Sequence, residues 1–382
     1  MMAQAGLPLG LRFSFVAEED EDTRCVDALG PVVVRPAGTT AASLFERLGE
    51  PAVITVEKER VDTDLLTQLQ TMTQVAPTSE AIYITQNRLR EKTFLRNLNI
   101  ATADFDSIQS VQHLHSLAVR MGYPLYIKAA EAGYDGYYQW CIKEEAQLQP
   151  LALQQPELMA AIDQGITLIA EKHVDYTREV SMIAVRDRND NIVIYPPMEN
   201  YHQDGVLIAT IAPAPATSKT FHDKGLAQAE AMIKRILREL NYIGVLTLEC
   251  FDTEQGIIIN EIAPRVHNSG HWTIEGAATS QFENHCRAIA GMPLGATAMH
   301  GVAGLVNLLG KQGDKAVLTA DQTPAVYSPR VYYHHYGKEA RARRKLGHVT
   351  VCADEMAALK KRLTTIMDYL YPQQYSPWRD DV

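Results

Sequence analysis

Short apolar runs alternate with amphipathic stretches along the first part of the chain. They follow one another at 11–16, 32–34, 41–48, 52–56, 63–71, 87–98 and 110–121. The shorter runs have the composition of strands, and the longer stretches have the spacing of helices. Strands that alternate with helices are typical of a parallel α/β sheet, which we predict for the first hundred residues.

The pattern becomes strand-rich after residue 124 and stays mixed to the end of the chain. Predicted strands lie at 125–129, 167–171, 179–185, 192–195, 303–308, 325–333 and 348–352, and predicted helices lie at 221–240 and 354–370. The strands GVLTLECF and GIIINEIA flank a turn at 252–256 and form the clearest hairpin. The predicted fold class is therefore α/β at the start, followed by antiparallel α+β structure.

Two acidic side chains of this hairpin are predicted to share one face. Because strand residues alternate between faces, pairing of Glu249 with residue 259 or 261 places it beside Glu261, at about 4.5 to 8 Å. Two neighbouring carboxylates repel each other unless a cation neutralises them, and Mg²⁺ takes one or two carboxylates together with substrate phosphates. The hairpin therefore indicates a magnesium site, and a surface hairpin with solvated acids is the alternative.

Three further segments could carry chemistry. The loop after the hairpin gathers the polar side chains of Arg265, His267, Asn268, Ser269 and His271. The GYDG turn at 133–136 follows a strand that ends near Lys128 and could close over a phosphate, although such sequences also form ordinary turns. The basic stretch YGKEARARRKLGH indicates an anionic small ligand, with a solvated loop as the alternative.

Composition excludes several classes of protein. With 36 Lys+Arg against 46 Asp+Glu, the formal charge is -10, so the chain lacks the basic surface that binds a nucleic-acid backbone. No apolar run approaches the roughly 20 residues of a membrane-spanning helix. The five cysteines show no CxxC, which argues against a disulfide framework and for a reducing cytoplasm. No GxGxxG follows an early strand, so a nicotinamide-dependent dehydrogenase is a poor fit.

The order of the motifs is more specific than any one of them. Along the chain stand QNRLREK, PLYIK with GYDG, IAEKHV, REVSMI, YPPMENYHQDG, TLECF, NEIAPRVHNSGHWTIE and YGK with its basic tail. In this order they resemble the 5-(carboxyamino)imidazole ribonucleotide synthase family, ATP-grasp enzymes of purine biosynthesis, from residue 1 to about 370. The resemblance implies a pre-ATP-grasp α/β domain at 1–100, an ATP-grasp region at 101–300 with its smaller lobe at about 124–175, and a small C-terminal domain at 301–382.

The resemblance also implies which residues form the site. Those for ATP are Arg88, Lys128, Glu171, Lys172, His173, Val174, Glu179, His202, Asn260 and Glu261. The implied Mg²⁺ ligands are Glu249 and Glu261, and the implied catalytic residues are Asp135, Arg265, His267 and Lys338. The implied contacts of the ribonucleotide substrate are Tyr134, Asp135, Asn268, Ser269, Lys338 and Arg344.

The implied reaction is a phosphoryl transfer followed by a carboxyl transfer. Bicarbonate attacks the γ-phosphorus of ATP to give carboxyphosphate, and the amine of aminoimidazole ribonucleotide captures its carboxyl group or the CO₂ that it releases. Lys128 suits a phosphate, Glu179 suits ribose hydroxyls, and Asp135 is the candidate for contacting the substrate amine. We expect a cytoplasmic homodimer with small-molecule substrates and with neither nucleic acid nor membrane as a partner.

Two segments depart from the family pattern. Family members open with a strand and a glycine-rich turn of the GGGQLGRM type, whereas this chain begins at what resembles the end of that motif, so its first strand is expected to be missing. The loop pattern GYDGKGQ reads GYDGYYQ here, with Tyr137 and Tyr138 in place of a lysine and a glycine, which predicts weakened turnover. Three hypotheses stay open: an active synthase, a nucleotide-binding homologue with little catalysis, and an ATP-grasp ligase for another amine.

Overall fold

The computed structural model describes residues 1–131, 138–215, 225–310, 328–371 and 376–378. Its helices are α1 (Met2–Gly6), α2 (Ala41–Arg47), α3 (Thr63–Leu69), α4 (Ser79–Thr85), α5 (Arg88–Asn97), α6 (Val111–Met121), α7 (Leu151–Gln154), α8 (Pro156–Asp163), α9 (Leu226–Glu239), α10 (Thr273–Gly276), α11 (Gln281–Ile289) and α12 (Met356–Leu370). Its strands are β1 (Phe15–Glu18), β2 (Val32–Arg35), β3 (Val53–Ile54), β4 (Gln74–Val75), β5 (Phe105–Ile108), β6 (Leu125–Ala129), β7 (Gln139–Ile142), β8 (Leu168–Lys172), β9 (Arg178–Arg186), β10 (Ile192–Ile194), β11 (Met198–Gln203), β12 (Val206–Ala212), β13 (Gly244–Thr253), β14 (Gly256–Ala263), β15 (Val302–Leu309), β16 (Val331–His335) and β17 (Lys345–Ala353).

The first part of the fold is an α/β unit with parallel strand pairs. β1 pairs with β2, and β3 pairs with β4, both in parallel register, as the alternating pattern predicts. Leu44, Leu69 and Ile82 belong to the apolar core of this unit. The predicted strand at 11–16 is displaced, since β1 begins at Phe15 after a 3₁₀ turn that ends at Gly10, whose φ of 79° is left-handed.

A four-stranded antiparallel sheet forms a lobe of its own, in the order β5-β8-β6-β7. Helices α6 and α8 pack on it and bury Leu114 and Leu158 in its core. Side chains of β6 alternate, with Leu125 and Ile127 buried in that core and Lys128 only partly buried. Lys128 therefore faces away from the helices that cover the lobe.

A nine-stranded sheet forms the largest part of the fold, in the order β14-β13-β9-β11-β12-β15-β17-β16 with β10 beside β9. Neighbouring strands pair antiparallel along this order. Because β15 pairs with β12, the C-terminal strands continue the same sheet that begins with the acid hairpin.

The residues of the large sheet alternate between two cores. On β9, Val180 and Met182 pack in the core that contains α9, whereas Ile183 and Val185 belong to the core under α11. Ser181 shares the α11 face by alternation. That face is therefore apolar at one end of β9 and polar at the other, and the polar end is where the predicted site residues gather.

Most predicted elements are confirmed, with ends that differ by a few residues. The hairpin of β13 and β14 occupies the predicted residues, with a turn shortened to Glu254 and Gln255. Residues 221–224 of the predicted helix and 325–327 of the predicted strand lie outside the described residues. Of the elements named above, the sequence interpretation missed ten, which are β4, β5, β7, β11, β12, α4, α7, α8, α10 and α11. Within the described ranges, no helix combines the length and the apolar composition that crossing a membrane requires.

Candidate active site

Glu249 on β13 and Glu261 on β14 lie directly opposite each other, which confirms the predicted shared face. The register shifts just after this pair, between Glu249 and Cys250. The two side chains are 20% and 26% exposed, so water screens their repulsion only in part. Like charges at opposed strand positions are destabilising unless other groups compensate them.

Cationic or hydrogen-bonding side chains from other segments compensate the pair. Arg88 Nη1 lies 2.6 Å from Glu261 Oε2, and His267 Nε2 lies 2.8 Å from Glu249 Oε1. His202 Nε2 lies 4.0 Å from the other oxygen of Glu249. Burial would raise the pKa of Glu249, but His267 and His202 outweigh burial and hold that pKa well below its usual value. Glu249 is therefore an ionised carboxylate near neutral pH.

The start of α5 delivers two cations to the site. Asn87 caps this helix through its side chain, so Arg88 begins the first turn and Lys92 lies one turn further on the same face. Lys92 is fully buried, and its Nζ donates to Thr102 Oγ1 at 3.1 Å and to the carbonyl of Asn260 at 3.2 Å. Lys92 thus ties α5 to the strand that carries Glu261.

Lys128 and Glu171 form a buried ion pair on the four-stranded lobe. Lys128 Nζ lies 2.7 Å from Glu171 Oε2, and Lys92 Nζ lies 3.5 Å from Glu171 Oε1. Burial would raise the pKa of Glu171, but Lys128, Lys92 and Arg88 outweigh burial and lower this pKa to about 2. Three cations therefore meet two carboxylates, Glu171 and Glu261, and the excess of one positive charge suits a phosphate chain.

The strands β9 and β11 add a carboxylate and an imidazole beside the acid pair. His202 Nδ1 lies 2.8 Å from Glu179 Oε2, and the hydroxyl of Tyr176 donates to Glu179 Oε1 at 3.2 Å. Burial would lower the pKa of His202, but its contact with Glu179 outweighs burial and raises the pKa. Tyr176 also stacks on Phe251, with ring centroids 4.5 Å apart. Glu179 has the carboxylate chemistry that accepts hydrogen bonds from ribose hydroxyls.

The end of β8 limits which backbone groups can reach an adenine. The N–H of Lys172 donates to the carbonyl of Asp104 at 2.8 Å, so it is committed to the sheet. The strand ends at Lys172, and His173 and Val174 lie beyond its ladder. The N–H of Lys172 is therefore excluded as a donor to the base, while the backbone of His173 and Val174 lies beyond the ladder and stays a candidate.

The loop after the hairpin returns to the acids through a 3₁₀ turn at Asn268–Gly270, which His267 caps. The side chain of Gln281 holds the backbone of His267 at two points. The N–H of His267 donates to Gln281 Oε1 at 3.0 Å, and Gln281 Nε2 donates to the carbonyl of His267 at 2.6 Å. A β-carbon on Gly270 would lie 2.3 Å from the side chain of Ile183, so this turn requires glycine to pack on the sheet.

The other predicted residues of this loop, Arg265, Asn268 and Ser269, do not contact the acid pair in the same way as His267. Asn268 is 8% exposed, and neither polar atom of its amide has a hydrogen-bond partner among the described residues, which marks it as a candidate ligand contact. Arg265 Nη2 lies 2.5 Å from Glu59 Oε1, so the N-terminal α/β unit borders the site. Ser269 is fully buried with its Oγ 2.8 Å from His267 Nδ1, so its hydroxyl faces the sheet and is not placed to bind a substrate directly.

Lys338 and Arg344 lie in the loop between β16 and β17. Tyr336 anchors this loop, because its hydroxyl lies 3.1 Å from His271 Nδ1 and 2.7 Å from His348 Nδ1. The Nζ of Lys338 lies 5.6 Å from the centre of the Tyr336 ring. The predicted phosphate contacts are therefore joined to the segment that carries His267. Arg344 Nη1 donates to the carbonyl of Glu339 within the same loop.

The acid pair fits an Mg²⁺ ion that shares its ligands with phosphates. Within the described ranges, no group of three or more His, Cys, Asp or Glu is arranged to hold a metal ion. Glu249 and Glu261 supply hard oxygen ligands, and the buried Oδ1 of Asn260 has no partner in the described part of the chain. This donor set suits Mg²⁺, which usually keeps positions for substrate phosphates and water. The predicted loop residues Tyr134 and Asp135 lie outside the described residues.

Sequence reasoning missed three residues that position the site. Lys92, Gln281 and Tyr336 each hold a predicted residue in place, and none was singled out. A signal for Lys92 was available, because it follows Arg88 by four residues in a predicted helix and so shares its face. Gln281 and Tyr336 carry no comparable signal, since their contacts join segments that are far apart in the chain.

Family comparisons match most of the chain. The ATP-grasp domain family matches residues 93–282, and the phosphoribosylaminoimidazole carboxylase C-terminal domain family matches residues 303–362. The chain is 36% identical over 371 residues to the N5-carboxyaminoimidazole ribonucleotide synthase of Vibrio vulnificus strain YJ016. That alignment covers 97% of this chain and 92% of the relative.

Solved structures are similar over the same extent. The N5-carboxyaminoimidazole ribonucleotide synthetase of Thermus thermophilus is 36% identical with a TM-score of 0.83, covering 99% of this chain and 97% of that one. The enzyme of Aspergillus clavatus, solved with ADP and 5-aminoimidazole ribonucleotide, is 26% identical with a TM-score of 0.84, covering 97% and 95%. The similarity therefore includes both the N-terminal α/β unit and the C-terminal strands.

Proposed function

The chain belongs to the N5-carboxyaminoimidazole ribonucleotide synthase family, and we propose that the acid hairpin and the basic groups around it form its active site. It is an ATP-dependent ligase that carboxylates 5-aminoimidazole ribonucleotide to N5-carboxyaminoimidazole ribonucleotide in purine biosynthesis. The observation that carries the site assignment is the direct pairing of Glu249 with Glu261, with Arg88 and His267 bound to them.

The nucleotide is proposed to lie between the four-stranded lobe and the hairpin. Lys128 and Arg88 would bind its phosphates, Glu179 would accept from its ribose, and the backbone of 173–174 would meet the adenine edge. Mg²⁺, held by Glu249 and Glu261, would offset negative charge on the phosphoryl oxygens. The support for this arrangement is the excess of buried positive charge around Glu171.

The proposed chemistry consists of two transfers. An oxygen of bicarbonate bonds to the γ-phosphorus of ATP as the bond to the β,γ-bridging oxygen breaks, which gives carboxyphosphate and ADP. The substrate amine then bonds to the carboxyl carbon, phosphate leaves with the bonding electrons, and the amine proton passes to a base, for which Asp135 is the candidate. Exclusion of water preserves carboxyphosphate between the two transfers.

The remaining residues are proposed to orient the two small substrates. Arg265, His267 and Asn268 would donate hydrogen bonds to bicarbonate and to the carboxyl group in transit. The unpartnered amide of Asn268 supports this role. Lys338 and Arg344 would bind the phosphate of the ribonucleotide, and Tyr134 would be a further contact of the same substrate.

Coupled ADP formation tests the proposed function. With ATP, Mg²⁺ and bicarbonate present, we expect ADP formation to depend on added 5-aminoimidazole ribonucleotide. Glu261→Gln should raise the Mg²⁺ concentration needed for half-maximal rate by about tenfold or more, whereas Glu254→Gln in the exposed hairpin turn should not. ADP formation that a different amine triggers would favour another ligase. ATP that raises the melting temperature without any product would favour a nucleotide-binding homologue.

We further propose that the protein is a cytoplasmic homodimer. Support for this comes from the reducing environment that the spaced cysteines indicate and from the family resemblance. Light scattering of the purified chain tests the homodimer, and a monomeric mass would contradict it. Fractionation of the producing cells tests the cytoplasmic location.

A further inference from the structure

A row of buried hydrogen bonds starts at His267 and crosses the large sheet. His267 Nδ1 lies 2.8 Å from Ser269 Oγ, which lies 2.8 Å from Ser181 Oγ on β9. Asn200 Nδ2 on β11 donates to Ser181 Oγ at 3.0 Å, and Thr210 Oγ1 on β12 donates to Asn200 Oδ1 at 3.0 Å. The four side chains behind His267 are at most 5% exposed.

Groups that cannot exchange donor and acceptor roles set the direction of this row. The backbone N–H of Ser269 donates to His267 Nδ1 at 3.3 Å as the cap of the 3₁₀ turn, so Nδ1 is an acceptor. Further along, the amide NH₂ of Asn200 can only donate, so Ser181 accepts from it and gives its own hydrogen to Ser269. The hydroxyl of Ser269 is then left to donate to Nδ1.

We propose that Ser269 is a positioning residue which, supported by Ser181 and Asn200, holds His267 in the tautomer with its hydrogen on Nε2. The inference rests on the proposed function, in which His267 acts on bicarbonate and the transferred carboxyl group. The opposite side of the ring agrees with it, because Nε2 lies 2.8 Å from Glu249 Oε1, which is an acceptor. The hydrogen bond at one ring nitrogen thus decides which nitrogen carries the hydrogen.

This tautomer makes His267 a hydrogen-bond donor toward the reacting groups. The Nε2–H donates to Glu249 in this structure and can be shared with an oxygen of bicarbonate or of the carboxyl group beside it, whereas a lone pair at the same point would repel both negative charges. Removal of the amine proton then falls to another residue. The row also explains why a serine that is closed off from solvent lies in the middle of the active-site loop.

The tautomer can be read on the intact wild-type protein by ¹⁵N NMR of its histidine side chains. Loss of signals in His267→Asn assigns the two ring nitrogens of His267. We expect Nδ1 without a hydrogen and Nε2 with one, and a hydrogen on Nδ1 overturns the inference. This measurement needs no turnover, so it tests the tautomer whatever the ADP assay shows. ADP formation that is independent of the ribonucleotide would contradict the proposed function and not this inference.

Kinetics of three variants separate positioning from packing. Ser269→Ala removes the donor to Nδ1, and Asn200→Asp leaves only acceptors at position 200, so Ser181 turns its hydrogen away from Ser269. We expect kcat to fall about tenfold in both, with the KM for ATP changed by less than about twofold. Thr210→Val is the matched control, because it removes an equally buried hydrogen bond but leaves Asn200 donating, and it should lower kcat by about twofold or less. Equal losses of kcat in all three variants, or no loss in Ser269→Ala, overturn the inference.

Discussion

Replacing Lys128 by methionine removes one partner of the buried ion pair with Glu171 and keeps a side chain of similar length. We expect Lys128→Met to lower both the stability of the protein and its affinity for ATP. The two losses have different causes, because the first comes from a buried carboxylate that has lost its nearest cation and the second from a missing phosphate contact. Adding Glu171→Gln should therefore restore stability without restoring ATP affinity.

The structure gives the size of the stability effect. The pKa of Glu171 is lowered from 4.5 to about 2, which corresponds to about 3 kcal/mol for this carboxylate at neutral pH, and burial lowers the pKa of Lys128, which offsets part of that gain. Lys92 remains 3.5 Å from this carboxylate after the substitution, so we expect a loss of about 2 kcal/mol. For a chain of 382 residues, at about 2.1 cal/mol/K per residue, this lowers the melting temperature by about 3 °C.

Scanning calorimetry and the coupled ADP assay measure the two effects on the same preparations. Loss of a charge-assisted hydrogen bond to a phosphate should raise the KM for ATP by about 10-fold to 100-fold. The double variant Lys128→Met/Glu171→Gln should melt within about 1 °C of the wild type and keep the raised KM. Lys143→Met, at an exposed position of the same lobe, is the matched control and should change neither value.

Two results would refute this reasoning. If the double variant melts as low as Lys128→Met alone, the lost stability does not come from leaving Glu171 without its nearest cation. If the KM for ATP stays at the wild-type value in Lys128→Met, the excess positive charge around Glu171 does not serve the nucleotide.

Three further predictions concern Glu171, the loop at 137–138 and the hydroxyl of Tyr336. Because the folded-state pKa of Glu171 lies below its unfolded value, its stabilisation is complete above about pH 4.5 and is lost as the pH falls toward about 2; calorimetry across this range should show a smaller decline in Glu171→Gln. Restoring the family residues with Tyr137→Lys and Tyr138→Gly should raise kcat, since Tyr138 has a left-handed φ of 51°, which costs a non-glycine residue about 1 kcal/mol; an unchanged kcat contradicts this. Tyr336→Phe should raise the KM for the ribonucleotide by about tenfold and leave the KM for ATP unchanged, whereas the half-exposed Tyr332→Phe should alter neither.

The sequence predicts the acid pair because the period of a strand decides which residues share a face. Once the hairpin between β13 and β14 is recognised, two registers place Glu249 and Glu261 on the same face. In one register they are direct neighbours, and in the other they are diagonal neighbours. The direct pairing in the structure is one of these two solutions. Local periodicity is sufficient here because both partners lie within one hairpin.

Strands that serve the site are harder to predict because their inward residues are polar. β11 carries Glu199, Asn200 and His202, and its first three residues are all buried, so it lacks the apolar alternation by which strands are recognised. Partners from distant segments satisfy these groups, as Arg178 does for Glu199 at 2.8 Å. The same limit applies to Lys92, whose acceptor is the carbonyl of a residue 168 positions further along the chain.

The chain crosses into the four-stranded lobe after α5 and out of it before β9, and both crossings are hydrogen-bonded to the acid hairpin. The N–H of Ile259 donates to the carbonyl of Ala101 at one crossing, and the N–H of Thr177 donates to the carbonyl of Asp252 at the other, each at 2.9 Å. If the lobe swings as a rigid body about these two hydrogen bonds, the hinge axis runs along the acid hairpin. Lys128 then moves with the lobe while Glu249 and Glu261 stay with the large sheet, so opening separates the proposed phosphate contact from the proposed metal ligands.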